Sequence, residues 1–160
     1  MHEKLQNSGR YLSRMSASLD SKLRVMHDFP SDCSAVLDVG CADGSVTIAM
    51  ARQLPHVVFT GIDLDADFIA LAEEKAKEAG VTNVEFRCMY LRDLLAEHWR
   101  FNAVTFISVL HEFYSYGEGM SSVMKAVADA HELLSRNGVL CIRDMMTHDY
   151  MKDRKVGVGE

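Results

Sequence analysis

Five short apolar runs, each separated from the next by a stretch of helical periodicity, constrain this chain more than any other feature. They are AVLDV (35–39), VVFTGID (57–63), VEFRCM (84–89), NAVTFISVL (102–110) and GVLCIR (138–143). A strand that is apolar at successive positions must be covered on both faces. Parallel strands need a crossover between them, which an amphipathic helix supplies. GSVTIAMARQL follows the first run and is stopped by Pro55. Residues 65–79 follow the second, with Asp65 as cap, a Glu73 to Lys77 pair and a terminal Gly80. A short helical piece lies around 93–98, and Met120, Val123, Met124, Val127, His131 and Leu134 trace another helix face closed by Asn137 and Gly138. Ahead of the first run, Leu12, Met15, Leu19, Leu23 and Met26 fall at three- and four-residue steps, predicting a leading helix that ends before Pro30. The alternation predicts a doubly wound α/β domain with right-handed crossovers, and a ligand at the carboxyl ends of its parallel strands.

The 160 residues suit one domain with its own core. A net charge of −6 argues against an extended grip on nucleic acid. No run approaches the roughly 18 apolar residues that a membrane helix needs, and the opening MHEKLQNSGR lacks the apolar stretch of a signal peptide. A cytoplasmic protein without membrane attachment is expected. Cys33, Cys41, Cys88 and Cys141 form no C-x-x-C pair and read as small buried or semi-buried hydrophobes in a reducing compartment. The histidines show no metal-ligand spacing, so no metal site is expected.

The turn VLDVGCADGS (36–45) is where chemistry enters. Asp38 ends a strand, and Gly40, Ala42 and Gly44 open a helix, a junction whose bare N–H groups usually hold an anion. A dinucleotide fingerprint G-x-G-x-x-G would want glycine or alanine where Ser45 stands, and Gly44 comes one residue early. The pattern is acid-x-G-x-A-x-G. An acid beside a pyrophosphate is repelled, whereas an acid and a glycine turn together suit an amino-acid zwitterion. Asp63 closes the next strand in FTGIDLD, where an acid can accept from both hydroxyls of a ribose.

These residues resemble the first motif, D/E-x-G-x-G-x-G, of the class I S-adenosyl-L-methionine dependent methyltransferases, with Ala42 for the middle glycine. The resemblance implies S-adenosyl-L-methionine as cofactor, with Asp38, Gly40, Cys41, Ala42 and Gly44 around its methionine end, Asp63 on the ribose and Leu64 over the adenine. It implies a three-layer, Rossmann-like sheet of order 3-2-1-4-5. The family's strands 6 and 7 find no room here. Either a C-terminal part is lacking, or the edge of strand five is covered by the leading helix or by another chain, a homodimer being one such arrangement. The family's G-D pair after strand three is replaced by Met89 and Tyr90, so that Tyr90 stacks on the adenine or packs, and Asp93 is the alternative acid.

SVLHEFYSYG (108–117) corresponds to the region that borders the methyl group in that family. Ser108 would then face the cofactor, His111 and Glu112 would be the acid–base candidates, and Phe113, Tyr114 and Tyr116 would wall an acceptor. Methyl transfer depends mainly on alignment, so a base role and a structural role for His111 both stand. GRYLSRMSASLDSKL, HEFYSYG and IRDMM look like a group of small methyltransferase-like proteins of phages and their bacterial hosts. That likeness implies that Tyr11 and Arg14 line or close the cofactor pocket, and puts Arg143 and Asp144 at its rim. The expected division is a helical segment covering the site (1–30), a cofactor-binding core (31–146) and a frayed or truncated tail (147–160). The function implied is methyl transfer to an unidentified acceptor. Alternatives are a cofactor-binding accessory module or inactive partner subunit, a cofactor-cleaving enzyme, and, against the glycine spacing, an NAD oxidoreductase.

Overall fold

A computed structural model describes residues 18–144. Residues 18–23 are helical (α1) and run into a 3₁₀ turn, Arg24–Asp28. Thereafter β1 (Ala35–Val39), α2 (Ser45–Gln53), β2 (Val58–Asp63), α3 (Ala66–Glu78), β3 (Val84–Cys88), α4 (Leu91–Ala96), β4 (Phe101–Ile107), α5 (Leu110–Tyr116), α6 (Met120–Glu132) and β5 (Leu134–Arg143) follow in turn. All strand pairs are parallel, in the order β3-β2-β1-β4-β5. This is the doubly wound sheet expected from the apolar runs, in the Rossmann-like order that the resemblance implies.

The period-2 geometry of a strand divides the core. Val36 faces one layer with Met50, Ala51 and Phe59, which Leu23 and Val25 extend; Leu37 and Val39 face the other with Phe106, Ala126, Ala130 and Leu133. Because β1 is buried on both faces, its two neighbours in the sheet lead to helices on opposite sides. The reversal of strand order between β2 and β4 opens a crevice above β1. Asn102 fixes one end of this arrangement: its Oδ1 accepts from the N–H groups of Ser34 and Ala35 at 2.9 and 3.0 Å, tying β4 to β1.

The run expected as strand through Leu110 ends at Ile107, Ser108 turns the chain at φ 57° and α5 begins at Leu110; the end of α6 departs from expectation as well. The helical stripe predicts a helix through Leu134 and a last strand from Gly138, whereas α6 stops at Glu132 and β5 begins at Leu134. Leu133 is fully buried and its carbonyl accepts from Phe101 N–H at 2.9 Å, so the chain already lies against β4 where the helix ends. The register then steps from Phe101↔Leu134 to Ala103↔Val139, and the excess residues are absorbed around Asn137, at φ 64°. Of the cysteines, Cys33, Cys41 and Cys141 are buried as expected, whereas Cys88 is exposed because it ends the edge strand β3. Burial pushes the Cys141 thiol up to about 11. No helix among the described residues is long and apolar enough to cross a membrane.

Candidate functional site

The turn after β1 is clamped onto the end of β2. Gly40, Ala42 and Gly44 have φ of 71°, 47° and 72°. A Cβ on Gly40 would meet Val109 Cγ2 at 2.2 Å, and one on Gly44 would meet Ala72 Cβ and Phe86 Cζ at 2.7 Å. Both positions therefore require glycine for space as well as for φ. Ala42 holds the same left-handed conformation with a Cβ, at a cost of roughly 1 kcal/mol.

The sequence offered the N–H groups of this turn to an anion. Five of the six from Gly40 to Ser45 have acceptors within the protein: Gly40 and Cys41 donate to Ile62 O, Ala42 to Asp63 Oδ2, Gly44 to Cys41 O and Ser45 to Asp43 Oδ1. Asp38 is similarly engaged. It is 2% exposed, with Oδ2 accepting from Thr47 Oγ1 at 2.6 Å and Oδ1 from Thr105 Oγ1 at 2.8 Å. Burial raises its pKa, opposed by the two hydroxyls and by the charge of Lys22. Asp43 is partly buried, which alone would raise its pKa, but hydrogen bonds from Lys75 and Ser45 hold it below the usual carboxylate range.

Two adjoining clefts, of about 350 and 320 Å³, lie above the carboxyl ends of β1, β2 and β4 and share Gly40, Asp63, Val109 and Glu112. One is polar, bounded by the turn (Cys41, Ala42, Asp43, Ser45), Asp38, Ser108 and Lys22. The other is apolar, bounded by Leu64, Tyr90, Phe113 and Tyr116. Asp63 stands at the junction; its Oδ1 accepts from Asp65 N–H at 3.0 Å, and each carboxylate oxygen retains a lone pair for a further donor.

The sequence candidates thus converge: Asp38, Cys41, Ala42 and Ser108 line the polar lobe, Leu64 and Tyr90 the apolar lobe, and Gly40, Asp63 and Glu112 both. Gly44 sits behind the lining as the N-cap of α2. His111 lines neither lobe. Its Nδ1 lies 2.8 Å from Asp144 Oδ1 and its N–H donates to Asp144 Oδ2 at 3.1 Å, so the end of β5 holds it at the rim of α5, 41% exposed. Asp93 accepts from Tyr90 N–H at 3.2 Å, which turns it to capping α4. Tyr11 and Arg14 lie outside the described residues.

Sequence reasoning missed Asp43 and Val109 in the lining, and Thr47, Thr105 and Lys22 around it. Thr105 had a signal, being a polar side chain inside the apolar run NAVTFISVL, and buried hydroxyls need partners. Lys22 had none, because only the packing of α1 brings it to the crevice.

A family model described as a methyltransferase domain matches residues 30–156. The chain belongs to this methyltransferase-domain family. Ubiquinone biosynthesis O-methyltransferase of Xylella fastidiosa (strain 9a5c) is 43% identical over 68 residues, which are 42% of this chain and 26% of that protein. The chain spans about a quarter of the length of the curated relatives it matches. Among solved structures, the N-terminal domain of EvdMO1 with SAH bound superposes with a TM-score of 0.61 at 27% identity, covering 74% of this methyltransferase domain and 46% of that chain. The [4+2]-cyclase SpnF superposes with a TM-score of 0.67 at 25% identity, covering 79% and 44%.

Proposed function

We propose that this chain binds S-adenosyl-L-methionine in the two-lobed cleft and directs its methyl group to an acceptor at the rim formed by α5 and the end of β5. The observation that carries the reading is Asp63 at the junction of a polar and an apolar lobe. An amino acid, a sugar with two donor hydroxyls and a flat heteroaromatic ring follow one another in that ligand, and the donors and surfaces along the cleft follow the same order. The neighbour with SAH bound supports the same ligand class.

Bound there, S-adenosyl-L-methionine supplies an electrophilic methyl group on a sulfonium. The chain's own residues then have three tasks. Asp63 would hold the ribose, and Leu64 and Tyr90 would cover the adenine, so that these residues set the orientation of the bound cofactor. Alignment of this kind is the largest contribution to an in-line displacement. Glu112 and Val109 form a wall common to both lobes and would flank the sulfur of a bound cofactor. His111 accepts the acceptor's proton: the Asp144 carboxylate puts the hydrogen on Nδ1 and leaves the lone pair on Nε2. The described residues from β1 to β5 act as the cofactor-binding core, and α1 brings Lys22 to the polar lobe.

Calorimetry with S-adenosyl-L-methionine, S-adenosyl-L-homocysteine and NAD tests the ligand, and binding of NAD alone would overturn the reading. Since a [4+2]-cyclase shares the fold, the methyl group itself must be followed, as label transferred into fractionated cell extract and sorted into small molecules, RNA, DNA and protein. His111→Ala should bind the cofactor normally and slow transfer by about 10²- to 10⁴-fold. Transfer at the original rate would remove the base.

A further inference from the structure

The polar lobe is acidic where an amino-acid carboxylate would have to enter. Asp38, Asp43, Asp63 and Glu112 line it, and the backbone of the turn has little left for an anion, with five of its six N–H groups engaged from Gly40 to Ser45. Lys22 is the one cation among the described residues lining either lobe. It is half-buried and has no salt bridge among the described residues, whereas Lys75, which also reaches the turn, is paired with Asp43.

A half-buried lysine without a salt bridge, facing a polar cleft, is held by its surroundings rather than by a partner. The flanking residues do the holding. Leu23 and Val25 are buried in the core, and Ser21 Oγ accepts from Arg143 Nη2 at 2.9 Å, which ties this turn of α1 to the end of β5. Its charge acts on Asp38, lowering a pKa that burial raises.

We propose that Lys22 is a cofactor-binding residue, its ammonium pairing with the carboxylate at the amino-acid end of the ligand in the polar lobe. The assignment rests on the cleft holding an adenosyl amino acid. It makes α1 part of the binding site and gives the glycine turn a different duty. The turn sets the shape of the lobe, and the side chain from α1 supplies the counter-charge. A lysine serves this role as a compact point charge on a flexible stem.

The test compares two ligands that differ by the amino-acid group. S-adenosyl-L-homocysteine carries the carboxylate; 5′-methylthioadenosine keeps the nucleoside and thioether without it. Calorimetry on the wild-type chain, Lys22→Met and Lys22→Arg should show Lys22→Met weakening S-adenosyl-L-homocysteine by about 10- to 100-fold, the range of a charge-assisted hydrogen bond. Affinity for 5′-methylthioadenosine should change less than about 2-fold on the same scale, and Lys22→Arg should recover most of the loss. Equal weakening of both ligands would overturn the proposal and leave Lys22 as a structural or charge-balancing group, as would unchanged affinity for S-adenosyl-L-homocysteine. A thermal unfolding curve of Lys22→Met that matches the wild type ensures that the comparison reads binding. If the wild-type chain binds neither nucleoside, the cofactor reading itself fails and the assignment goes with it.

Discussion

The two lobes of the cleft are built by different means. The polar lobe is shaped by groups that already bond to one another: the turn to the end of β2, Asp38 to Thr47 and Thr105, and Asp43 to Lys75. The apolar lobe is shaped by side chains with large free surfaces; Leu64 is 58% exposed, Tyr90 53% and Tyr116 89%. Pre-formed hydrogen bonds cost nothing further when a ligand arrives, but they tie the lobe's geometry to the stability of the fold. Exposed aromatic and aliphatic groups contribute when they are covered, and the fold hardly depends on them. Changes to the bonded groups of the polar lobe should therefore alter folding and binding together, and changes in the apolar lobe binding alone.

Gly40→Ala is the strongest way to break that contrast. A methyl 2.2 Å from Val109 Cγ2 at a positive φ should destabilise the chain by about 2 to 4 kcal/mol, seen in denaturant unfolding, and abolish nucleoside binding. An unchanged midpoint would show that the turn yields easily and that the lobe is not rigid. Thr105→Val comes next, leaving one oxygen of a buried carboxylate without its donor at a cost of roughly 1 to 3 kcal/mol. The sign with pH follows from Asp38. Its folded-state pKa is raised, so the folded state holds more protons above the ordinary carboxylate pKa, and stability from this group falls as pH rises through that window. Removing a hydroxyl that favours the charged form raises the pKa further. The penalty of Thr105→Val should be larger at neutral pH than at acid pH, which unfolding curves across the range would register.

Tyr90→Ala probes the other lobe. Unfolding should shift by less than about 0.5 kcal/mol, while affinity for S-adenosyl-L-homocysteine falls by about 2- to 10-fold through loss of stacking. A large loss of stability would erase the distinction between the lobes. Asp43→Asn should have the smallest effect, a few tenths of a kcal/mol, because its pairing with Lys75 is partly exposed. The Asp43 pKa is depressed in the fold, so its stabilisation is present above the ordinary carboxylate range and lost as pH falls through the folded value. The difference between variant and wild type should accordingly vanish in acid.

What was legible in the sequence was local. Apolar runs and helical stripes predicted each strand and the layering of the sheet, because periods of 2 and 3.6 are properties of neighbouring residues. The spacing of Gly40 and Gly44 marked a turn with positive φ, because that demand is met residue by residue, and Asp65 read as a cap for the same reason. The end of α6 was misjudged because Leu134 continues the helical stripe, and only contact with β4 turns it into a strand.

The site was decided by pairings across long separations. Asp38 meets Thr105 from 67 residues away, His111 meets Asp144 from 33, and Lys22 reaches the turn only because α1 packs against the sheet. No local period encodes such meetings. They arise when strands take their order around β1 and bring the carboxyl ends of β1, β2 and β4 to one crevice, so the sequence determined which chemical groups the chain carries in each element, and the tertiary structure decided which of them face one another.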